Sequence, residues 1–310
     1  MDRRRRPLGL LIAALAAVAG GGVLAATGER LQALVWTAKG HEVTALTRQP
    51  ATCLGHAAAD PDVLAGRALF HAPQLFGGQA ARAGLSCASC HSNGRRNPHF
   101  FLAGISHAPG TADVSASFFS VARGNGRFDP KPIPDLALPD KVSRDPVSDE
   151  LEHFIRGLIV EEFSGAEPSP AALARVAAYV RAIRPCPARD DEPQTMAGQV
   201  DLFRDTVRAA AQFADEGDRA TAVALLGAAR NHLGLIDQRI APYGHTNLRA
   251  ALLRSSRRLQ AIRDGDPTGE PLLALLDRFE RSVAQRLLAA EKRSLYRPKR
   301  VERWLGARAL

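Results

Sequence analysis

Five consecutive residues, Cys87-Ala88-Ser89-Cys90-His91, constrain this chain more than any other feature. Two thiols three positions apart fall on one turn of backbone, and an imidazole follows at once. This C-x-x-C-H spacing is the pattern of covalent c-type haem attachment. Both sulfurs can bond the two vinyl-derived carbons on one edge of the macrocycle. The next residue then sets an imidazole beneath the iron as proximal ligand. The expectation is therefore one covalently attached haem c on Cys87 and Cys90, with His91 on the iron. Two other chemistries use close cysteine pairs. A thioredoxin-like redox pair needs a preceding strand in a βαβ setting, and Gly84-Leu85-Ser86 after a Gly/Ala-rich loop does not supply one. A four-cysteine zinc site needs a second close pair, but the remaining cysteines, Cys53 and Cys186, are far apart.

The start of the chain says where such a site would be built. Arg3 to Arg6 form a cationic cluster, and an uncharged apolar run follows from Leu8 to about Thr27. Charge followed by apolarity is the order of a secretory signal. Ala17-Val18-Ala19 suits a cleavage site, yet the run is also long enough to span a bilayer. Residues 1–28 are expected to be a cleaved signal or a membrane anchor, and 29–50 a linker. In both cases the arginines stay inside, which places the rest on the periplasmic side of a bacterial inner membrane. The net charge is +9, from 41 Lys+Arg against 32 Asp+Glu. On an exported chain this excess points to an acidic redox partner protein or anionic lipid, and not to nucleic acid. An oxidising compartment also lets Cys53 and Cys186 pair as a disulfide. Such a bridge would close a long loop around the motif, worth about 4–5 kcal/mol in the chain-entropy view. The alternative is two unpaired buried thiols.

Hydrophobic residues make up 45% of the chain and aromatics only 5%, with Ala and Leu dominant, which favours helices over sheets. The expected class is all-α. Asp60-Pro61 and Ser169-Pro170 each read as an N-cap followed by proline at the first helical position. Gly66 would let a neighbouring helix cross closely, and the helix through Leu173, Val176, Val180 and Ile183 is its natural partner. A further helix starts near Ser148, with Leu151, Phe154, Ile155, Leu158, Ile159 and Glu162 on one face. Residues 51–190 read as one haem-bearing domain. Its stretch from Gly124 to Pro146 is irregular and rich in Pro, Asp and Gly. A proline-rich linker runs from Pro185 to Pro193. Residues 195–310 carry four amphipathic stretches, broken at Gly217-Asp218 and Gly265-Asp266-Pro267, and read as a small helical bundle with a basic tail.

Ala65-Gly66-Arg67-Ala68-Leu69-Phe70, followed by a loop and Leu85-Ser86-Cys87-Ala88-Ser89-Cys90-His91, resembles the bacterial cytochrome c peroxidase/MauG family. The resemblance covers Asp60 to Pro185, under half of the chain. It implies a cytochrome c-like domain. That family carries two haem motifs and this chain has one, so the relay between two haems is not implied here.

The sixth iron position separates carrier from enzyme. Met1 lies in the signal and Met196 beyond Cys186, so a thioether ligand is disfavoured. His153 points away from the apolar face of its helix. His99 lies close after the motif. The resemblance implies His107, on the loop Gly104 to Gly110, as the sixth ligand. An open position and His99 are the alternatives. Arg123, Arg127, Glu161 and Glu162 are available for peroxide chemistry, although none sits in a diagnostic pattern. The leading expectation is electron transfer with iron cycling between Fe(III) and Fe(II). A peroxidase-like oxidoreductase is the runner-up, and a haem-based sensor or redox-complex subunit is a third reading.

Overall fold

The structure is a computed structural model that describes residues 31–115, 119 and 126–308. The signal or anchor expected over 1–28, and Arg123, lie outside the described residues. Helix accounts for 61% and strand for 6%, so the chain is all-α. In order, the elements are α1 (Glu42–Thr47), β1 (Arg48–Pro50), β2 (Thr52–Cys53), α2 (Pro61–Phe70), α3 (Gly78–Ala83) and α4 (Cys87–Cys90). Then come β3 (Thr111–Ala112), β4 (Lys131–Pro132), α5 (Glu150–Gly157), α6 (Pro170–Ala182), β5 (Arg184–Pro185) and β6 (Asp191–Pro193). Last are α7 (Met196–Asp215), α8 (Arg219–Ile240), α9 (Thr246–Asp264), α10 (Gly269–Phe279), α11 (Gln285–Ala290) and α12 (Pro298–Gly306).

The helix starts follow local chemistry. Asp60 accepts from the Asp62 N–H at 2.9 Å, with Pro61 first in α2. Ser169 accepts from the Ala172 N–H at 3.1 Å, with Pro170 first in α6. Thr195 and Asp218 cap α7 and α8 through the N–H groups of Gly198 and Thr221. Each cap satisfies a backbone donor that the helix itself leaves orphaned. Ser169 also donates its hydroxyl to Asp218, which ties the start of α6 to the start of α8. Helix α2 packs against α6, and an added Cβ on Gly66 would overlap the Arg175 carbonyl. Glycine is what permits this crossing.

Helix α7 packs on α8 and α10, and α9 packs on the same two, so four helices close a bundle. The bundle does not stand apart. Helix α2 also packs on α7, and one hydrophobic core runs from Leu69, Phe70 and Tyr179 through Phe203 to Phe279. Arg67 on α2 reaches Asp205 on α7 at 3.3 Å.

Two segments expected as linkers are built into the fold. Residues 31–53 form a strap: β1 pairs antiparallel with β6, and β2 with β5. Leu31 and Leu46 share a second small core with Leu295 and Val301. The expected basic tail is likewise not loose, because α12 supplies Val301 to that core. The buried Arg239 of α8 explains the attachment. It donates to the carbonyls of Leu46 at 2.6 Å and Leu295 at 3.1 Å, and to Gln194 at 2.9 Å. A buried guanidinium needs such acceptors, so its burial fixes strap and tail together.

Candidate functional site

Helix α4 is a single turn held at both ends. The Ser86 N–H donates to Ser89 Oγ at 3.1 Å, the backward half of a capping box. At the far end, Asn97 donates its backbone N–H to Cys90 O at 3.0 Å and its side-chain amide to Ser89 O at 2.8 Å. Asn93 and Gly94 then take left-handed backbone, with φ of 49° and 76°. This reversal is clamped by the strap. Asn93 donates to Pro50 O at 2.9 Å, and Arg95 to Ala51 O at 2.9 Å. Arg95 also holds Asp135 in a two-bonded pair, at 2.6 and 2.7 Å.

Cys53 and Cys186 are bonded to each other, with Cα atoms 5.2 Å apart across 133 positions. Cys87 and Cys90 are free, and both line a cavity of about 430 Å³ together with His91. The wall is mainly apolar. Phe70 comes from α2, Leu151 and Ile155 from α5, Val176 and Val180 from α6, and Ile133 and Pro134 from the segment around β4. Leu158 and Ile159 come from a π-helical turn, Leu158–Glu162, that continues α5. Such turns re-aim side chains within a helix and often lie at functional sites.

Burial pushes both thiols up to about 12. A dithiol redox pair works through a depressed thiol pKa, so these cysteines are poorly suited to exchange chemistry. Among the described residues, no group of three or more His, Cys, Asp and Glu could hold a metal ion. Burial lowers the His91 imidazole to about 4, and the Pro134 carbonyl partly offsets this. The ring is therefore neutral at ordinary pH, the form that ligates metals. Its Nδ1 is enclosed and makes no hydrogen bond within normal limits. Phe70 packs beside it, ring centroids 6.4 Å apart.

These features fit a haem. Two unbridged thiols, a neutral imidazole and an apolar slot face one space. A larger cleft, about 1100 Å³, shares Lys131 to Pro134 and Lys141 with that space and adds Arg95 and Arg96. Its charge is mixed: Arg95 is held by Asp135, Lys131 by Asp129 and Lys141 by Asp140, and Asp190 and Asp191 line it beside Arg96.

The other expected residues are placed differently. His107 is exposed on its loop and does not line the cavity. The loop closes on itself: Thr111 Oγ1 accepts from the N–H groups of both His107 and Ala108, at 3.2 and 3.1 Å. The implied sixth ligand is thus not brought to the site. His99 stacks on His41 at 4.7 Å and lines the larger cleft, and His153 is exposed on α5. Met196 is fully buried at the start of α7 and lines neither space. Glu161 and Glu162 do not line the cavity. Among the described residues, His91 is the one imidazole lining the cavity, and no thioether lines it.

Sequence reasoning missed Asp113. It is 3% exposed, lines the cavity, and accepts from the N–H groups of Ser115 and Asp129 at 3.1 and 3.0 Å. No motif marks it; its burial follows from how its loop folds back. No family model matches the chain, and no curated protein or solved structure is detectably similar to it.

Proposed function

We propose that this chain is an exported monohaem c-type cytochrome: a cytochrome c-like haem domain joined to a helical bundle. The haem c is bound through Cys87 and Cys90 with His91 on the iron, and the protein acts in electron transfer. One observation carries this reading: two free thiols and a neutral imidazole, spaced as haem attachment requires, line one apolar cavity. When bound, the haem supplies one-electron chemistry between Fe(III) and Fe(II). The chain's own residues would set the conditions for it. Phe70, Ile155, Val176 and Val180 exclude water from the macrocycle. The Pro134 carbonyl, the backbone group beside His91, favours a protonated ring nitrogen and so helps to fix the ring. Arg96, at the rim of the larger cleft, would offer positive charge to a propionate or to an acidic redox partner. Residues 1–28 would deliver the chain to the periplasmic side, tethered or released.

A second reading has an observation of its own. No second imidazole or thioether lines the cavity among the described residues. The stretches 116–118 and 120–125 contain no histidine or methionine. An iron with a free sixth position takes small ligands, which favours a peroxidase-like oxidoreductase or a sensor. The resemblance to the peroxidase family supports the same direction.

Optical and EPR spectra of the purified holoprotein test both, with and without carbon monoxide and peroxide. A six-coordinate low-spin haem indifferent to both additions supports the carrier and removes the second reading. A high-spin ferric component that binds carbon monoxide once reduced, and consumes peroxide, reverses that order. A protein that leaves the cell's haem-attachment machinery without covalent haem overturns both.

A further inference from the structure

A small pocket, about 90 Å³, opens in the bundle between α9 and the run of α10 and α11. Arg254 and Arg258 of α9 line one wall, and Arg278 of α10 and Arg286 of α11 line the other. All four are exposed. A spacing of four sets Arg254 and Arg258 one turn apart on the same face of α9. Leu275 and Phe279 are buried and form part of the floor. A π-helical turn, Glu280–Ala284, joins α10 to α11 and brings Ser282 to the pocket. Such turns often lie at functional sites.

These four arginines differ from others of the bundle in what they lack. Arg204 meets Glu280, Arg249 meets Asp237, and Arg281 meets Asp277. Those pairs already engage the acids of α10 and of the π-helical turn. No acidic residue lines the pocket, and none of the four arginines is in an ion pair among the described residues. Arg286 makes one long bond, 3.4 Å, to the Ser282 carbonyl. Ser255 adds a hydroxyl without a protein partner among the described residues. Like charges lining one groove repel, and an anion between them offsets that repulsion. The site is rich in donors and holds no carboxylate to accept from them.

Size and shape narrow the anion. The pocket is far smaller than the roughly 300–1,000 Å³ of a site for an organic ligand, so it takes one compact group. A carboxylate presents two oxygens in one plane and matches a single guanidinium fork. A phosphate presents its oxygens tetrahedrally and meets guanidinium groups from both walls at once.

We propose that this pocket binds a single phosphate group between Arg254 and Arg258 on one wall and Arg278 and Arg286 on the other. Its source is free phosphate or the phosphodiester of an anionic lipid headgroup. Helices α9, α10 and α11 supply no residue to the cavity of Cys87, Cys90 and His91, so the site does not rest on the haem reading.

Isothermal titration of the full chain, held in non-ionic detergent at fixed ionic strength, tests this with two ligands. One is inorganic phosphate, and the other is glycerophosphoglycerol, the soluble headgroup of an anionic phospholipid. Acetate is titrated in parallel. The expected result is one phosphate group per chain from at least one source. Binding should be about fivefold weaker, or more, in Arg258→Gln and in Arg278→Gln, one residue from each wall. It should stay within about twofold of wild type in Arg281→Gln, whose side chain pairs with Asp277 and does not line the pocket. Circular dichroism of each variant establishes that it is folded. Tighter binding of inorganic phosphate supports the site and assigns it to the free ion; tighter binding of the diester supports it and assigns it to a lipid. Binding of neither ligand to the wild-type protein overturns the proposal. An equal loss in Arg281→Gln means an adventitious ion drawn by surface charge only and overturns the pocket. Binding that survives both Arg258→Gln and Arg278→Gln overturns the placement, and acetate binding as tight as phosphate overturns the assignment to a tetrahedral group.

Discussion

His232 shows what burial does to one residue. Its ring is pushed to about 3 by desolvation, with the charge of Arg67 adding to the effect, against an ordinary value of 6.5. Between those limits the unfolded chain takes up a proton that the folded one refuses. Its contribution is therefore fully present above about pH 6.5 and is lost as the pH falls toward 3. The slope approaches about 1.4 kcal/mol per pH unit for one such group. We expect the urea midpoint of the holoprotein, in carboxylate-free buffer, to drop between pH 6.5 and 4. In His232→Phe the drop should be shallower, by the equivalent of up to one proton. Equal slopes in the two proteins would place the acid sensitivity elsewhere. The cysteines were legible at this scale, because C-x-x-C-H is a local spacing that needs no tertiary knowledge. The burial of His232 was not, because its partner Gln199 lies on a different helix and nothing in either segment announces the other.

At the scale of elements, the crossing of α2 over α6 depends on one hydrogen atom. A Cβ at position 66 would overlap the Arg175 carbonyl, and it would also lie 3.0 Å from Tyr179 Cβ. Backbone cannot yield as a flexible side chain does. Gly66→Ala should destabilise the protein by about 1–3 kcal/mol, although alanine is the better helix former. A thermal melt measures this, and an unchanged or raised Tm would show that the two helices can part without cost. The same substitution moves Phe70, Val176 and Val180, which line the cavity of Cys87, Cys90 and His91, so on the proposed function a shifted haem spectrum should accompany the lower Tm. The proline-preceded caps at Asp60 and Ser169 made both helices legible. The π-helical turn at Leu158–Glu162 was not, because one continuous apolar face describes a regular helix equally well.

On the scale of the whole molecule, strap, motif and bundle are one body. Residues 48–53 hold Asn93 and Arg95, Arg239 holds the strap, and Cys53–Cys186 closes the loop that contains the motif. Replacing both bridge cysteines by serine should cost about 2–5 kcal/mol. Denaturant unfolding of the double variant checks this, and a loss below about 1 kcal/mol would mean that β1–β6 pairing and Arg239 suffice to hold the loop. The sequence alone determined what rests on short-range chemistry. It set the helical class through composition, the helix starts through caps, and the placing of two thiols and an imidazole on one turn through a five-residue spacing. Tertiary structure alone decided what depends on distant segments meeting. It paired Arg48–Pro50 with Asp191–Pro193, the ends of two expected linkers, a pairing across more than a hundred positions that neither segment shows by itself. It left His107 on a self-closed exposed loop, since sequence distance from the motif does not specify direction. It also brought Arg67 of α2 to Asp205 of α7, a pairing that exists only once α2 packs against the bundle.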